Sequence, residues 1–146
     1  MPALNTFLRT SARQNQRDNI GRTFVAVEAD SAVVCGFYML TVGSVSRDVL
    51  PSAEASGLPR YPVPVAHLGR LGVAKVAQGQ RLGEELLLHA LEQVMRISEV
   101  VGVYAVEARA KAEGARSFYA RYGFKPLLDD ALHLYLPTRA LAGLFD

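Results

Sequence analysis

The sequence predicts one mixed α/β domain, and a strand–helix–strand pattern is the main reason. Residues 62–74 and 103–108 are near-continuous apolar runs, which is typical of strands covered on both faces of a sheet. Between them, residues 81–101 repeat apolar side chains at helical spacings of three and four. This order predicts two strands of one sheet joined by a long helix.

A β-hairpin and several short elements complete the predicted domain. Residues 23–28 and 32–42 predict two antiparallel strands joined by a turn at residues 29–31. Residues 47–61, which contain two prolines, predict an exposed loop of the kind that often carries function. The remaining expectations are a helix at 113–122 closed by Gly123, strands at 124–128 and 132–136, and a short helix from Pro137.

The N-terminal residues 3–18 predict a helix that carries a stripe of arginines. Arg9, Arg13 and Arg17 are spaced four residues apart, so they share one face of such a helix. Two interpretations of the stripe stay open. It is either a solvated charged face or a ridge that contacts phosphates.

The composition is that of an ordinary globular protein of 146 residues, with 50% hydrophobic and 21% charged residues. The net charge of +2 permits a polyanionic partner without requiring one. The single Cys35 lies in an apolar run, which predicts a buried thiol in a reducing compartment. The sequence contains neither a membrane-length apolar run nor a signal-peptide pattern, so we expect a cytoplasmic protein. The histidines and the cysteine lack metal-ligand spacing, so no metal is expected.

The segment between the first of these strands and the long helix is the strongest functional signal. It reads Q-G-Q-R-L-G over residues 78–83. Gly79 and Gly83 let the backbone approach a ligand closely. The first turn of a helix presents unpaired N–H groups at the positive end of the helix dipole. The segment therefore predicts an anion site suited to a phosphate.

A second motif, E-G-A-R-S-F-Y-A-R-Y-G-F over residues 113–124, follows this loop after one intervening strand. With both motifs in this order, the chain resembles the GCN5-related N-acetyltransferases (the GNAT family) from Phe7 to Leu136. The loop is similar to the family's acetyl-CoA pyrophosphate motif, Q/R-x-x-G-x-G/A, and the helix to its A-x-x-F-Y-x-x-x-G-F motif. The resemblance implies a mixed, mostly antiparallel central sheet that splays between two central strands and is flanked by helices.

The resemblance also implies an acetyl-CoA site and a mechanism. The pantetheine arm inserts between the splayed strands and pairs with the backbone near Leu71, Gly72 and Val73. An amine attacks the thioester, a backbone N–H polarises its carbonyl oxygen, and Tyr119 protonates the leaving thiolate, with Tyr122 as the poorer-fitting alternative. The pyrophosphate binds the loop residues Gln78, Gly79, Gln80, Arg81, Leu82, Gly83 and Glu84.

The chain departs from the family pattern in two places. Arg81 stands where the family loop usually has glycine. We expect helical dihedral angles at Arg81, because the helical pattern begins there, and its charge would lie beside the phosphates. Family members also begin with a strand and a helix ahead of the segment that matches residues 3–7, so we expect the first strand of the family to be missing.

No residue stands out as a general base. Glu28, Asp30 and Glu107 are candidates, although such carboxylates are more commonly structural or solvated. His67 lies in the central strand near the expected thioester, and a substrate role and a plain core or surface role both stay open. The other two histidines, His89 and His133, carry no functional signal in the sequence.

Shorter segments narrow the resemblance to the toxin branch of the family. F-L-R-T-S-A-R-Q-N, R-T-F-V, V-G-S-V and P-V-P-V-A-H-L-G-R-L-G-V are similar to TacT-like acetyltransferases of bacterial toxin–antitoxin pairs. That branch acetylates the α-amine of aminoacyl-tRNA, whose pKa is lowered by the ester, so a strong base is less necessary. The resemblance also implies a ribbon-helix-helix antitoxin and a homodimer. Basic residues suited to tRNA phosphates are Arg9, Arg13, Arg17, Arg22, Lys75 and Arg116.

Two other functions stay open on the sequence alone. The chain could acetylate a small-molecule or protein amine on the same fold, or it could bind CoA without catalysis. Turnover of free amines without growth arrest would indicate the first. CoA binding without transfer, and no effect of Tyr119→Phe, would indicate the second.

Overall fold

The computed structural model describes residues 6–11, 20–28, 33–75, 78–79 and 81–145. The strands in these ranges are neighbours in the order β1-β2-β3-β4-β5-β7-β6. They are β1 (Thr6–Ser11), β2 (Arg22–Glu28), β3 (Val34–Val45), β4 (Val63–Val73), β5 (Ala105–Arg109), β6 (Lys125–Pro126) and β7 (His133–Pro137). The helices are α1 (Ser52–Ala55), α2 (Leu82–Ser98), α3 (Glu113–Ala120) and α4 (Ala142–Phe145), with 3-10 helices at Arg47–Val49 and Thr138–Ala140.

The predicted mixed α/β class with a mostly antiparallel sheet is confirmed. The pairs β1–β2, β2–β3, β5–β7 and β6–β7 are all antiparallel. The chain divides into two compact units, a first unit of Met1–Thr41 with Leu68–Gln93 and a second unit of Val42–His67 with Val94–Asp146. Strands β3 and β4 and helix α2 each begin in one unit and end in the other.

The predicted hairpin forms the centre of the first unit. Strand β2 pairs antiparallel with β3, from Arg22 opposite Leu40 to Val27 opposite Val34, with a register shift after Ala26. The end of β2 is covered on both faces, because Val25, Ala26 and Val27 are buried in succession. Ala26, Val27 and Tyr38 are fully buried there. Cys35 is buried as well, as its apolar surroundings predicted.

A glycine lets β3, β4 and α2 approach closely within the first unit. A Cβ atom on Gly36 would lie 2.8 Å from Leu86 Cδ1, 3.0 Å from the Gly72 carbonyl oxygen and 3.3 Å from Leu82 Cδ2. Real Cβ atoms do not approach other atoms that closely, so only glycine fits without movement of its neighbours. The N-terminal half of α2 is thereby held against the strands, with Leu86 and Leu87 fully buried.

The predicted N-terminal helix is wrong where the structure describes it. Residues Thr6–Ser11 form strand β1, which pairs antiparallel with β2 from Thr6 opposite Glu28 to Ser11 opposite Thr23. The apolar spacing of this short segment fits either period, and the unpaired edge of β2 decided between them. Arg9 therefore lies in a strand, opposite Val25, and the helical arginine stripe is not formed there. Arg13 and Arg17 lie outside the described residues.

The second unit contains β5, the second strand of the predicted strand–helix–strand unit, and the first residues of β4. The Tyr104 N–H donates to the Pro64 carbonyl oxygen at 2.9 Å, and the side chains of His67 and Glu107 are hydrogen-bonded. Residue numbers rise together across these contacts, so β4 and β5 run parallel, as a strand–helix–strand connection requires. Strand β7 then pairs antiparallel with β5, from Ala105 opposite Pro137 to Arg109 opposite His133.

The segment predicted as an exposed loop, residues 47–61, is more ordered than expected. It contains the 3-10 helix Arg47–Val49 and helix α1, and Leu50 between them is only 2% exposed. The expectation failed because Pro, Ser and Gly mark turns without excluding one apolar anchor. Leu50 belongs to an apolar cluster with Val63, Val65, Ala105, Leu127 and Tyr135.

The close approach at Gly36 leads to a stability prediction. Gly36→Ala is expected to lower the free energy of unfolding by about 1–3 kcal/mol, because the new methyl group overpacks the contact with Leu86. Gly43→Ala is the matched control, because it lies in the same strand and its Cβ would meet nothing within 4 Å. Both exchanges change the unfolded chain alike, so denaturant unfolding of the pair isolates the packing effect. Equal stabilities would contradict the prediction.

Candidate active site

The turn that leads from β4 into α2 is the first half of the candidate site. Gly79 has φ +85°, and the Gln78 side-chain amide donates to the Val73 carbonyl oxygen at 3.2 Å, which folds the loop back on the end of β4. The Glu85 N–H donates to the Arg81 carbonyl oxygen at 3.1 Å and makes the first helical hydrogen bond of α2. The N–H groups ahead of Glu85 have no intrahelical acceptor, so they are available to an anion.

The expected helical conformation of Arg81 is wrong. Its φ is +61°, in the left-handed region that a side chain adopts at a cost of about 1 kcal/mol or more. The helical pattern of apolar residues does not define the dihedral angles of the residue that precedes the first helical turn, which is why the expectation failed. A positive φ explains physically why the family favours glycine here. The Arg81 side chain is exposed, so its charge is available to a phosphate.

The other predicted donor-site residues lie on either side of this turn. Leu71, Gly72 and Val73 are the last residues of β4, and all three are half-buried. Leu82 is buried at the start of α2, and Gly83 and Glu84 are half-buried in its first turn. Gln80 lies outside the described residues. The structure thus brings these residues into one strand–turn–helix segment of the first unit.

Tyr119 lies on α3, in the second unit, and is buried. It is 7% exposed, and its ring centroid lies 5.4 Å from that of Phe118 and 5.2 Å from that of Phe124. The turn after α3 closes at Gly123, whose φ of +98° matches the predicted helix end. Burial raises the pKa of the Tyr119 phenol above 10, so the hydroxyl keeps its proton at neutral pH. The hydroxyl is therefore suited to donate a proton, and as long as it is protonated it cannot act as the base that activates the amine.

A chain of four side chains joins three strands of the second unit, and we call it the carboxylate–histidine chain. Glu107 Oε1 is hydrogen-bonded to His67 Nδ1, and Glu107 Oε2 lies 2.5 Å from His133 Nε2. His133 Nδ1 lies 2.9 Å from Asp129 Oδ2. His67 and Glu107 were candidates from the sequence. His133 was expected to carry no functional signal and Asp129 was not singled out, because a histidine in a short apolar strand gives no signal of its partners.

Within the carboxylate–histidine chain, the pKa values of His67 and Glu107 are shifted, and each shift has a clear physical cause. The hydrogen bond to Glu107 raises the pKa of His67 above 6.5, against an opposing effect of burial. Burial alone would raise the pKa of Glu107, but the hydrogen bonds from His67 and His133 outweigh it and hold that pKa below 4.5. Glu107 is therefore a carboxylate, and both of its oxygens already accept hydrogen bonds from the two histidines, so neither is free to take a proton from a substrate.

The remaining sequence candidates are scattered. Arg22 in β2 and Lys75 after β4 are exposed, whereas Arg116 on α3 is half-buried and pairs with Glu113 at 3.2 Å. Glu28 ends β2 opposite Thr6, and Asp30 lies outside the described residues. No group of three or more His, Cys, Asp or Glu side chains suited to a metal ion occurs in the described part of the chain. None of the helices among those residues is long and apolar enough to cross a membrane.

Comparison with known proteins identifies the family to which this chain belongs. The model of the acetyltransferase (GNAT) domain family matches residues 19–126, which include the loop at the start of α2 and all of α3. The chain belongs to the GNAT acetyltransferase family.

Relatives in sequence are bacterial toxins. The chain is 37% identical over 145 residues to the tRNA-acetylating toxin of Mycobacterium tuberculosis (strain ATCC 25618 / H37Rv). The aligned region covers 97% of this chain and 86% of that protein. It is 27% identical over 148 residues to the probable toxin TacT of Sinorhizobium fredii (strain NBRC 101917 / NGR234), covering 96% of this chain and 81% of that protein.

Solved structures of the same kind of toxin have the same fold. A tyrosine-to-phenylalanine mutant of KacT superposes with a TM-score of 0.84 at 31% identity, covering 91% of this chain and 80% of KacT. AtaT in complex with acetyl-methionyl-tRNAfMet superposes with a TM-score of 0.83 at 29% identity, with the same two coverages. AtaTR bound with AcCoA gives a TM-score of 0.77 at 31% identity, covering 91% of this chain and 79% of that one.

The left-handed turn predicts opposite effects at its two residues. Gly79→Ala is expected to lower the free energy of unfolding by about 1 kcal/mol, because a Cβ is disfavoured at φ +85° although nothing lies within 4 Å of it. Arg81→Gly is expected to raise it by up to about 1 kcal/mol, since glycine relieves the same conformational cost. Denaturant unfolding, with Gly43→Ala as control, measures both. Destabilisation by Arg81→Gly would contradict this account of the turn.

The carboxylate–histidine chain predicts a pH-dependent contribution to stability. Glu107→Gln is expected to lower the free energy of unfolding by about 2–3 kcal/mol, since it replaces a charge-assisted acceptor between two histidines. The exposed Glu99→Gln is the control and is expected to stay within about 0.5 kcal/mol of the wild type.

The sign of this pH dependence follows from the two pKa shifts. The raised His67 pKa stabilises the fold fully below 6.5, and this contribution is lost as the pH rises through the folded-state value. The lowered Glu107 pKa stabilises the fold above 4.5, and this contribution is lost as the pH falls through its folded-state value. The difference between wild type and Glu107→Gln is therefore largest between these limits. A difference that grows steadily above pH 8 would contradict the assignment.

Proposed function

We propose that this chain is a single acyl-CoA N-acyltransferase domain that acetylates the α-amine of aminoacyl-tRNA and thereby inhibits translation. The observation that carries the proposal is the similarity to a tRNA-acetylating toxin over 97% of the chain. The strand–turn–helix anion site and the buried Tyr119 supply the chemistry that such a reaction needs.

The donor is acetyl-CoA, and its pyrophosphate binds the turn from Gln78 to Glu84. Unpaired N–H groups at the start of α2 and the exposed Arg81 charge both favour a polyphosphate there. The pantetheine arm pairs with the backbone of Leu71, Gly72 and Val73 at the end of β4. AtaTR, a structural relative at 31% identity, is known bound with AcCoA, which supports the same donor here.

The acyl transfer needs a proton donor for the leaving group. The amine nitrogen attacks the thioester carbonyl carbon, and the carbon–sulfur bond breaks as the tetrahedral intermediate collapses. Tyr119 gives its hydroxyl proton to the thiolate, because burial keeps that hydroxyl protonated at neutral pH. Tyr122 is half-buried with its ring 5.6 Å from Phe118, and we assign it a packing role.

The acceptor is the amino acid of a charged tRNA, and exposed cations hold the nucleic acid. Arg22 and Lys75 are exposed and available to phosphates, and Arg116 reaches them only if it leaves Glu113. We add Arg9, Arg13 and Arg17 as further proposed contacts to the phosphates. AtaT, similar at 29% identity, is known in complex with acetyl-methionyl-tRNAfMet, which supports tRNA as the substrate class.

The partners follow from the same relatives. AtaT and AtaR are known as a complex bound to DNA, and AtaT has 28% identity to this chain in that structure, at a TM-score of 0.72. We propose an antitoxin of the ribbon-helix-helix class as the neutralising partner, a homodimer as the assembly, and the cytoplasm as the location, where charged tRNA is found.

Loss of one oxygen atom tests the enzyme and its toxicity together. Tyr119→Phe is expected to abolish growth arrest on expression and to lower acetyl transfer to charged tRNA by about 10²–10⁴-fold, because the thiolate loses its acid. The measurement is radiolabel from acetyl-CoA on the amino acid released from the tRNA. Tyr61→Phe, at a tyrosine that is 67% exposed, is the control and should keep the wild-type rate.

Three outcomes of this experiment would reject the proposal or part of it. If the label is found only on free amines or peptides, the acceptor is one of these and not tRNA. Acetyl-CoA binding without any transfer would identify a silent binding module. Full activity of Tyr119→Phe would remove the proton-donor role.

A further inference from the structure

The carboxylate–histidine chain leaves one imidazole nitrogen uncommitted. An ionised carboxylate accepts hydrogen bonds and donates none. His133 faces Glu107 with Nε2 and Asp129 with Nδ1, so it satisfies both carboxylates only with a proton on each nitrogen. His67 uses Nδ1 to bind Glu107, and its Nε2 makes no hydrogen bond within the described residues. Among the four ring nitrogens of His67 and His133, His67 Nε2 is therefore the one without a carboxylate partner, and it can accept a proton from a substrate.

The two inner side chains of the carboxylate–histidine chain are buried, and the two end side chains are partly exposed. Glu107 and His133 are buried, with side chains 9% and 5% exposed, whereas His67 is 32% exposed at one end and Asp129 is 36% exposed at the other. A buried carboxylate behind a half-exposed histidine fixes the ring and leaves the outer nitrogen as the proton acceptor. This is the arrangement of a histidine base with its orienting carboxylate.

The carboxylates near His67 have hydrogen-bond and ion-pair partners other than His67. The groups that act on it are Glu107 and Arg109, both from β5. Behind Glu107 lie His133 and Asp129, and the Arg109 guanidinium lies 4.0 Å from Asp129. The carboxylates of Glu107 and Asp129 thus have partners besides His67, namely the two ring nitrogens of His133 and the Arg109 guanidinium. A neutral His67 therefore costs no unpaired buried charge.

We propose that His67 is the catalytic residue that accepts the proton of the attacking amine, and that Glu107, His133 and Asp129 are positioning residues behind it. The inference rests on the proposed acetyl transfer and deepens it. His67 lies in β4, four residues before Leu71, in the strand whose end we assign to the pantetheine arm.

The proton and bond balance of the step is complete. His67 Nε2 takes one proton from the ammonium group of the acceptor, which frees the nitrogen lone pair. The carbon–nitrogen bond forms, the carbon–sulfur bond breaks, and the thiolate takes the proton of Tyr119. The nitrogen's second proton returns to the Tyr119 phenolate, and His67 releases the first proton to solvent. Each turnover yields the acetylated amine, CoA and one proton.

His67→Asn tests the base directly. Asparagine removes Nε2 and keeps an amide N–H in the place of Nδ1, so the hydrogen bond to Glu107 is retained. With acetyl-CoA and charged tRNA at pH 7, kcat is expected to fall about 10²-fold while the KM for acetyl-CoA stays nearly unchanged. His89→Asn, the same exchange at a histidine bonded to Tyr38, is expected to keep kcat. Wild-type kcat in His67→Asn would overturn the proposal.

The pH profile separates catalysis from stability. The wild-type kcat/KM is expected to fall as the pH drops through the His67 pKa, which lies above 6.5 because of the bond to Glu107. Glu107→Gln should move this acid limb of the pH profile to lower pH, and it should lower kcat/KM at pH 7 by about 10-fold. A purely structural Glu107 would change the amount of folded enzyme and leave the limb in place, which would overturn the positioning role. Glu99→Gln is the control for the limb.

A titration without substrate keeps this inference distinct from the proposed function. The imidazole resonance of His67 should titrate above 6.5 in the free wild type and lower in Glu107→Gln. If the pKa of His67 is ordinary and Glu107→Gln does not change it, the proposed pairing of His67 with Glu107 is overturned, whichever amine is the acceptor. If transfer depends on Tyr119 but occurs only to another amine, the proposed substrate fails. His67→Asn assayed with that amine then supports or overturns the base.

Discussion

A buried carboxylate must be paired, and Glu107 meets this requirement by joining three strands. At 7% exposure it would be strongly disfavoured without partners, and His67 of β4 and His133 of β7 supply one hydrogen bond to each oxygen. Through His133 the pairing extends to Asp129, in the turn before β7. The interior of the second unit therefore holds one register of β4, β5 and β7, because a shift of any strand by one residue would leave a charge unpaired.

The turn at the start of α2 accepts a conformational cost at the site proposed to bind the phosphates of the donor. Gly79 and Arg81 both have positive φ, and only the glycine adopts it freely. An arginine in that conformation lowers the stability by about 1 kcal/mol, and it adds an exposed cation to the residue just before α2. Such strain persists when the surrounding structure enforces it, and here the Gln78 bond to Val73 and the burial of Leu82 hold the turn on both sides.

Much of the fold was predictable because local pattern and tertiary environment agree. The hairpin, the long helix, the strand at residues 103–108 and the helix ending at Gly123 all appear within a few residues of their predicted bounds. Residues 6–11 did not follow the prediction, because a short apolar segment fits both periods and the edge of β2 offered it hydrogen bonds. The predicted anion turn and Tyr119 stand out in the sequence through the spacing of the glycines and of the aromatic pair, and their roles remain predictions.

The sequence by itself determined the class of fold, and it singled out the glycine-rich turn and the motif tyrosine as candidates, because each of these depends on neighbours close along the chain. The tertiary structure alone decided three matters. It set the conformation of Arg81, since dihedral angles at a helix start depend on how the preceding strand ends. It buried Leu50 inside a segment rich in turn residues. It also joined His67, Glu107, His133 and Asp129, which no local pattern connects, because only strand order brings residues so distant in sequence within hydrogen-bond reach.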